Sequence, residues 1–299
     1  MDINTSSYAH LAKKWTEKHR KRATKLLKVH KQALDGASDK AKKTIFGTGA
    51  GLLLLATPTP LMNASKIPNL VKEKLIGTEA FLITDLKAYV PSDIRPLTTE
   101  EEAQVATILT RYTGIKVAAE LDGKRLNTDY GLIGAEQHLA RYPGDRMNTH
   151  FTSIEDAEKY TSSGMAPGLG AWGYFANSQQ AMTQEDSDRE KYYIAVQTFL
   201  SKDFSTNFRD YMNFYKYRKM LVVNPQNGKA LVADIADSGP SEWTGKHLGG
   251  SPEVMKYLER QDGKARGPVL YFFVDDPGNT VPLGPVTLTD QEIASVSAK

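Results

Sequence analysis

The sequence predicts a mixed α+β protein: an N-terminal helical arm, one hydrophobic signal or anchor helix, then an extracytoplasmic region ending in a small β-barrel. Three observations carry this expectation. A strongly basic segment precedes an uncharged, leucine-rich run. An Asn-Gly turn joins two apolar β-type runs. A third such run, Val269-Leu270-Tyr271-Phe272-Phe273-Val274, lies near the end.

Residues 1–43 carry twelve Lys or Arg against Asp2, Glu17, Asp35 and Asp39, a net +8, so the rest of this +3 chain is −5. Cations ahead of an apolar segment stay in the cytoplasm, and the chain beyond that segment crosses. The uncharged stretch Thr44 to Ser65 is long enough for one span. Its strongly apolar part, Ile45 to Ala56, has the length of a signal peptide. Residues 44–64 are therefore read as a signal peptide or a retained anchor, with both open. The expected location is the cell membrane or surface, with the N-terminus cytoplasmic and everything beyond about residue 65 outside. The cations of residues 13–43 suit an anionic membrane surface, at roughly 1 kcal/mol each. Nucleic acid is not expected as a partner.

Hydrophobic residues make up 40% of the chain and cysteine is absent. Disulfides, Cys nucleophiles, Cys-ligated zinc and iron–sulfur sites are excluded. Gly168, Gly170 and Gly173 miss the phosphate-loop spacing and no Lys-Ser/Thr comes after them, which removes a nucleotide reading. Glu136, His138, Asp145 and His150 are groups able to hold a metal or move protons, but they lack a metal-ligand spacing of the His-Glu-x-x-His kind. They read as polar loop residues fixing one another. No metal and no cofactor is expected.

The outward region divides into a stalk or lead-in at 65–98, an α+β lead-in at 99–164, a barrel domain at 165–276 and a tail at 277–299. Thr98 with Glu101 has capping-box spacing and starts a helix that ends near Thr113-Gly114. Ile115 to Leu121 reads as a strand turning at Asp122-Gly123, and Leu126 to Asp145 is irregular. Ala171 to Phe175 reads as a short aromatic strand, Tyr192 to Leu200 as helical or extended, and Ser205 to Tyr217 as a helix. Strands are expected at Met220–Asn224, Ala230–Ile235 and Pro268–Val274, the first two joined by Pro225-Gln226-Asn227-Gly228. Ser251 caps a short helix with Pro252 in its first position.

The run VVNPQNGKALVADIADSGP, and after a gap SPEVMKYL, resembles the core of the double-psi β-barrel. That six-stranded barrel occurs in the rare lipoprotein A family, in expansins and related endoglucanases, and in membrane-bound lytic transglycosylase A. GAWGYF is similar to their aromatic first strand, and the resemblance covers residues 165–275, about a third of the chain. Its most specific piece is Asp237-Ser238-Gly239-Pro240 directly after the Asn-Gly hairpin.

The resemblance implies an envelope protein acting on peptidoglycan or a related glycan, as a lytic transglycosylase or glycan hydrolase. Asp237 falls on the aspartate that serves those enzymes as general acid. Trp172, Tyr174 and Trp243 are the expected sugar platform. The lipoprotein family's histidine corresponds to Gln197, which cannot titrate. His247 comes soon enough after the Gly-Pro in sequence to lie near Asp237. The second function class is a non-catalytic, expansin-like module that holds envelope glycan in the same groove. Asp237 itself also fits a turn aspartate accepting backbone hydrogens.

Overall fold

A computed structural model of the chain describes residues 67–260 and 266–289. The basic arm and the apolar run lie outside the described residues. Among those described, no helix is long and apolar enough to cross a membrane.

Two helices come first, α1 (Ile67–Leu86) and α2 (Thr99–Thr113). The expected capping box is present: the Thr98 side chain accepts from Glu101 N–H, and the Glu101 carboxylate accepts from Thr98 N–H. Arg95 adds a fork onto Glu101 at 2.7 and 2.8 Å. Gly114 ends α2 at φ 69°, where a side chain would be strained. The segment read as a stalk thus contains α1, whose Leu82 and Leu86 are buried in the core.

Strands β1 (Val117–Ala118), β2 (Glu120–Leu121) and β3 (Lys124–Arg125) come next, the last two forming a tight hairpin through Asp122-Gly123. Then come β4 (Tyr130–Ala135), α3 (Met147–His150), α4 (Ile154–Tyr160), α5 (Gln184–Lys191) and β5 (Tyr193–Val196). The second half comprises α6 (Phe208–Tyr215), β6 (Lys219–Val223), β7 (Ala230–Ser238), β8 (Leu248–Gly250), α7 (Pro252–Tyr257), β9 (Arg266–Val274) and β10 (Gly284–Pro285). Ser251 caps α7 through its side chain, with Pro252 at the start as expected.

Six strands close a mixed barrel. β4 pairs antiparallel with β9, β9 with β6, and β6 with β7. β7 then runs parallel to β5, β5 antiparallel to β8, and β8 parallel to β4. The two parallel pairs give the ring its psi-like crossings. Alternation along the strands sorts two cores. Met220, Val222, Leu231, Ala233, Ile235, Tyr271 and Phe273 fill the interior with α6 and α7. Leu221, Val223, Val232, Leu270, Phe272 and Val274 face outward and are covered by Leu82, Leu86, Val105, Leu109 and Tyr112 of α1 and α2. Both faces of β6, β7 and β9 are therefore dry, which is why they read as unbroken apolar runs.

Two elements differ from expectation. Ala171–Phe175 is not a barrel strand. Gly173, at φ 81°, donates its N–H to the Gly170 carbonyl at 3.0 Å, closing a turn. Gly170 lies so close to β7 that a Cβ there would sit 2.9 Å from the Ala236 carbonyl oxygen. The glycines thus let this loop cap the end of β7 instead of joining a ladder. The barrel also reaches back before residue 165, because β4 comes from the run that looked irregular. Its glycines leave room for neighbours: a Cβ at Gly131 would meet the His247 side chain at 2.6 Å.

Asp129, just before β4, is buried. Burial first, then the charge of Glu102, pushes its carboxyl up to about 7. The fold prefers this group protonated, so the cost of its charge is absent below about pH 4 and grows as pH rises through 7. Stability is expected to fall between pH 5 and pH 8, and Asp129→Asn to reduce that fall by on the order of 2 kcal/mol. Thermal unfolding of both proteins at the two pH values checks this; an unchanged pH dependence in the variant contradicts it.

Candidate active site

The parallel pair β5·β7 carries a β-bulge. Ile194 faces Ile235, but Ala195 faces Asp237, leaving Ala236 as the extra residue. Bulges bend a strand and re-aim its side chains. Here the bulge lies immediately before Asp237 at the end of β7. Asp237 Oδ1 accepts the N–H groups of Ala171 at 2.9 Å and Ser238 at 2.8 Å. Oδ2 has no hydrogen-bond partner among the described residues, and the residue as a whole is half-buried. Burial raises the Asp237 pKa from the ordinary carboxylate range, against the two amide hydrogen bonds, which favour the charged form.

Trp172 is half-buried and follows Ala171, whose N–H the carboxyl accepts. Its indole N–H donates to the Ile235 carbonyl at 2.8 Å, so the ring is fixed on the same strand end that carries Asp237. Tyr174 is 40% exposed and Trp243 88% exposed, the latter on the short turn Glu242–Thr244 after Pro240.

Gln197 and His247 have other attachments. The Gln197 amide donates to the Pro240 carbonyl at 3.0 Å and the Lys246 carbonyl at 3.2 Å, and accepts from Asn127 at 3.3 Å. It ties down the loop between β7 and β8. His247 accepts the Leu132 N–H on Nδ1 at 3.0 Å, and its backbone N–H donates to the Leu132 carbonyl at 2.9 Å. That bond fixes the Nε2–H tautomer, and burial lowers the pKa. The ring is therefore fastened to β4, with no hydrogen bond to Asp237.

A second carboxyl does come near. Glu136, one residue past β4, has its pKa raised by burial; Lys246 pulls it down and the Asp237 charge pushes it up. Lys246 Nζ sits 3.1 Å from Glu136 Oε1 and 3.0 Å from the Ala135 carbonyl. Gly249 opposite makes the space: a Cβ there would fall 2.2 Å from Glu136 Oε1.

The remaining polar residues of that run form a separate, buried cluster. His138 Nδ1 lies 3.2 Å from Glu190 Oε1, and His150 Nε2 lies 3.1 Å from Glu190 Oε2. His150 Nδ1 is 3.0 Å from Asp145 Oδ2. Asp145 also accepts from the Arg141 backbone N–H, Nε and Nη2. Burial opposes the charge on Glu190, but the two histidines outweigh it and hold the group at about 2. Burial likewise opposes a proton on His150, yet Asp145 and Glu190 push it up to about 9. Tyr193 lies between the two sites. Its hydroxyl donates to the Gln137 carbonyl, and the charges of Glu190, Glu136, Asp237 and Glu253 all act on it.

Comparison with models of known protein families found no match, and comparison with curated proteins found none either. The site is thus read from its own geometry. Replacing Gln197 with Ala removes all three of its side-chain hydrogen bonds and strands the Pro240 and Lys246 carbonyls. The expected cost is roughly 1–3 kcal/mol in denaturant unfolding, with faster amide exchange across residues 239–246. Unchanged stability and exchange would mean that the amide does not hold this loop.

Proposed function

We propose that the protein is a cell-envelope enzyme that cleaves peptidoglycan or a related glycan, as a lytic transglycosylase or glycoside hydrolase, with Asp237 as its general acid. The observation that carries this reading is the asymmetry of the Asp237 carboxyl. One oxygen is locked by two backbone amides, while the other has no hydrogen-bond partner among the described residues. A locked oxygen orients the group, and a free one can carry a proton to a substrate. The raised pKa keeps that proton available nearer to neutral pH. Trp172 is fixed on the same strand end by its indole N–H on the Ile235 carbonyl. The closed barrel is the architecture that the Asp-Ser-Gly-Pro resemblance implied.

In the transglycosylase form, Asp237 Oδ2–H gives its proton to the glycosidic oxygen, which leaves with the electron pair of the broken bond. The substrate's own C6 hydroxyl closes on the anomeric carbon and returns its proton to Asp237. In the hydrolytic form water takes the place of that hydroxyl, and Glu136 is the second carboxyl such a reaction uses. The products discriminate: anhydro ends for the first, reducing ends for the second. The basic arm and the apolar run support a location of this chemistry outside the membrane, with the N-terminus in the cytoplasm.

A second reading is a binding module that holds envelope glycan without cutting it. The near-complete exposure of Trp243 favours it, since an exposed indole is a ready stacking surface. Incubation of purified cell wall with wild type and Asp237→Asn separates the two. Wild type is expected to release glycan fragments, more slowly as pH rises through the Asp237 pKa. Asp237→Asn is expected to lose at least about a hundredfold in rate while still sedimenting with the wall. Full cleavage by the variant removes Asp237 as the acid. Wall binding without cleavage by the wild type at any pH replaces the enzyme with the binding module.

A further inference from the structure

We propose that His138, His150 and Glu190 form a binding site for a divalent transition metal of the zinc class, separate from the Asp237 site. All three side chains are buried, with His138 fully enclosed. Their potential ligand atoms lie within 4.8 Å of one another. The donors come from residues 138, 150 and 190, three different segments, so sequence spacing carries no metal motif.

The hydrogen-bond logic requires a cation at this point. Asp145 receives the Arg141 fork and is therefore an acceptor only. His150 Nδ1, 3.0 Å away, must be the donor to it. Nε2 is then the nitrogen left to face Glu190 Oε2 at 3.1 Å, and Glu190 is also an acceptor, taking the Leu139 N–H on its other oxygen. A lone pair cannot face a carboxylate oxygen at that distance without a cation between them. A proton or a metal ion fills that role.

Two features favour a metal over a proton alone. First, the Asp145–His150 arrangement is the carboxylate–histidine–metal pattern, in which the outer carboxylate fixes the tautomer and points the other nitrogen at the ion. Second, two imidazoles and one carboxylate are a borderline donor set that suits zinc and its neighbours, whereas calcium and magnesium prefer oxygen. Donors on a tetrahedral zinc lie ~3.4 Å apart; His138 stands 3.2 Å from Oε1 and His150 3.1 Å from Oε2 of Glu190, so each histidine reaches one oxygen of the shared carboxylate, and a metal draws the three donors in from a spread of 4.8 Å. His150, Glu190 and Glu253 also line a cavity of about 180 Å³ that leaves a fourth position for water.

The test uses the full chain stripped with a chelator and then given Zn²⁺ or Co²⁺ alone. The expected result is about one zinc per chain after dialysis, a higher thermal midpoint with zinc, and visible d–d bands with cobalt. Glu190→Gln and His138→Gln are each expected to weaken zinc binding at least tenfold, and Asp145→Asn tenfold to a hundredfold. If a variant fails to fold, the wild-type stoichiometry and cobalt spectrum still decide. No retained zinc, no cobalt bands and no thermal shift would show that the cluster holds only protons, and the proposal falls. Zinc bound equally by wild type and folded variants would place it elsewhere and overturn the assignment as well.

Discussion

Closure of the six-stranded sheet governs everything else in this molecule. An open sheet would leave rows of unpaired backbone groups at its edges, and closure removes them. This ring closes through two parallel pairs, β5·β7 and β4·β8, in a chain whose other barrel pairings are antiparallel. A parallel neighbour cannot be reached by a tight turn. The chain must travel between the paired strands, and the connections that do so carry the polar residues. The long route from β4 to its parallel partner β8 includes the segment from β4 to β5, which holds Glu136, His138, Asp145, His150, Trp172 and Glu190, and the one from β7 to β8, which holds Trp243 and Lys246. The crossings thus bring these connections against the ends of β7 and β8, close enough for the charge of Asp237 to act on Glu136.

Two groups of carboxyls then receive opposite treatment from similar burial. Asp237 and Glu136 have too few favourable partners to offset desolvation, so both are pushed up. Glu190 and Asp145 face imidazole and guanidinium nitrogens, and those bonds push both down despite burial. Environments that drive titratable groups apart assign them different tasks. Burial moves the first pair toward the protonated form, while the imidazole and guanidinium partners hold the second in the charged form. The two clusters share one stretch of backbone, since Glu136 and His138 are two residues apart and Tyr193 hydrogen-bonds the carbonyl between them.

Packing decides which elements are legible in the sequence. β6, β7 and β9 bury both faces, so their sequences are continuous apolar runs that declare themselves. The Thr98 and Ser251 caps are legible because each is a local hydrogen-bond pattern. β4 and β8 are not, because glycine stands where another group comes close: Gly131 under His247 and Gly249 against Glu136. A strand of glycines has no periodicity to detect. Ala171–Phe175 misleads for the opposite reason: its aromatics suit a strand, but they serve a loop fastened by Trp172. Asp237 stands out through its neighbours Gly239 and Pro240. Glu190 does not, since nothing in Asp188-Arg189-Glu190-Lys191 distinguishes it from a solvated helix end; only the fold reveals the two histidines it faces.

At Asp237, burial competes with two amide hydrogen bonds, and the general-acid role requires that burial win and leave a carboxyl with a proton to give. Carbon-13 NMR titration of the side-chain carboxyl, assigned by loss of its signal in Asp237→Asn, measures that contest directly. The expected result is titration above the ordinary value of about 3.9, in the direction that burial imposes. A midpoint at or below that value would mean that the Ala171 and Ser238 amides dominate. Asp237 would then be a permanent carboxylate anchoring a loop, and its role as general acid would be contradicted.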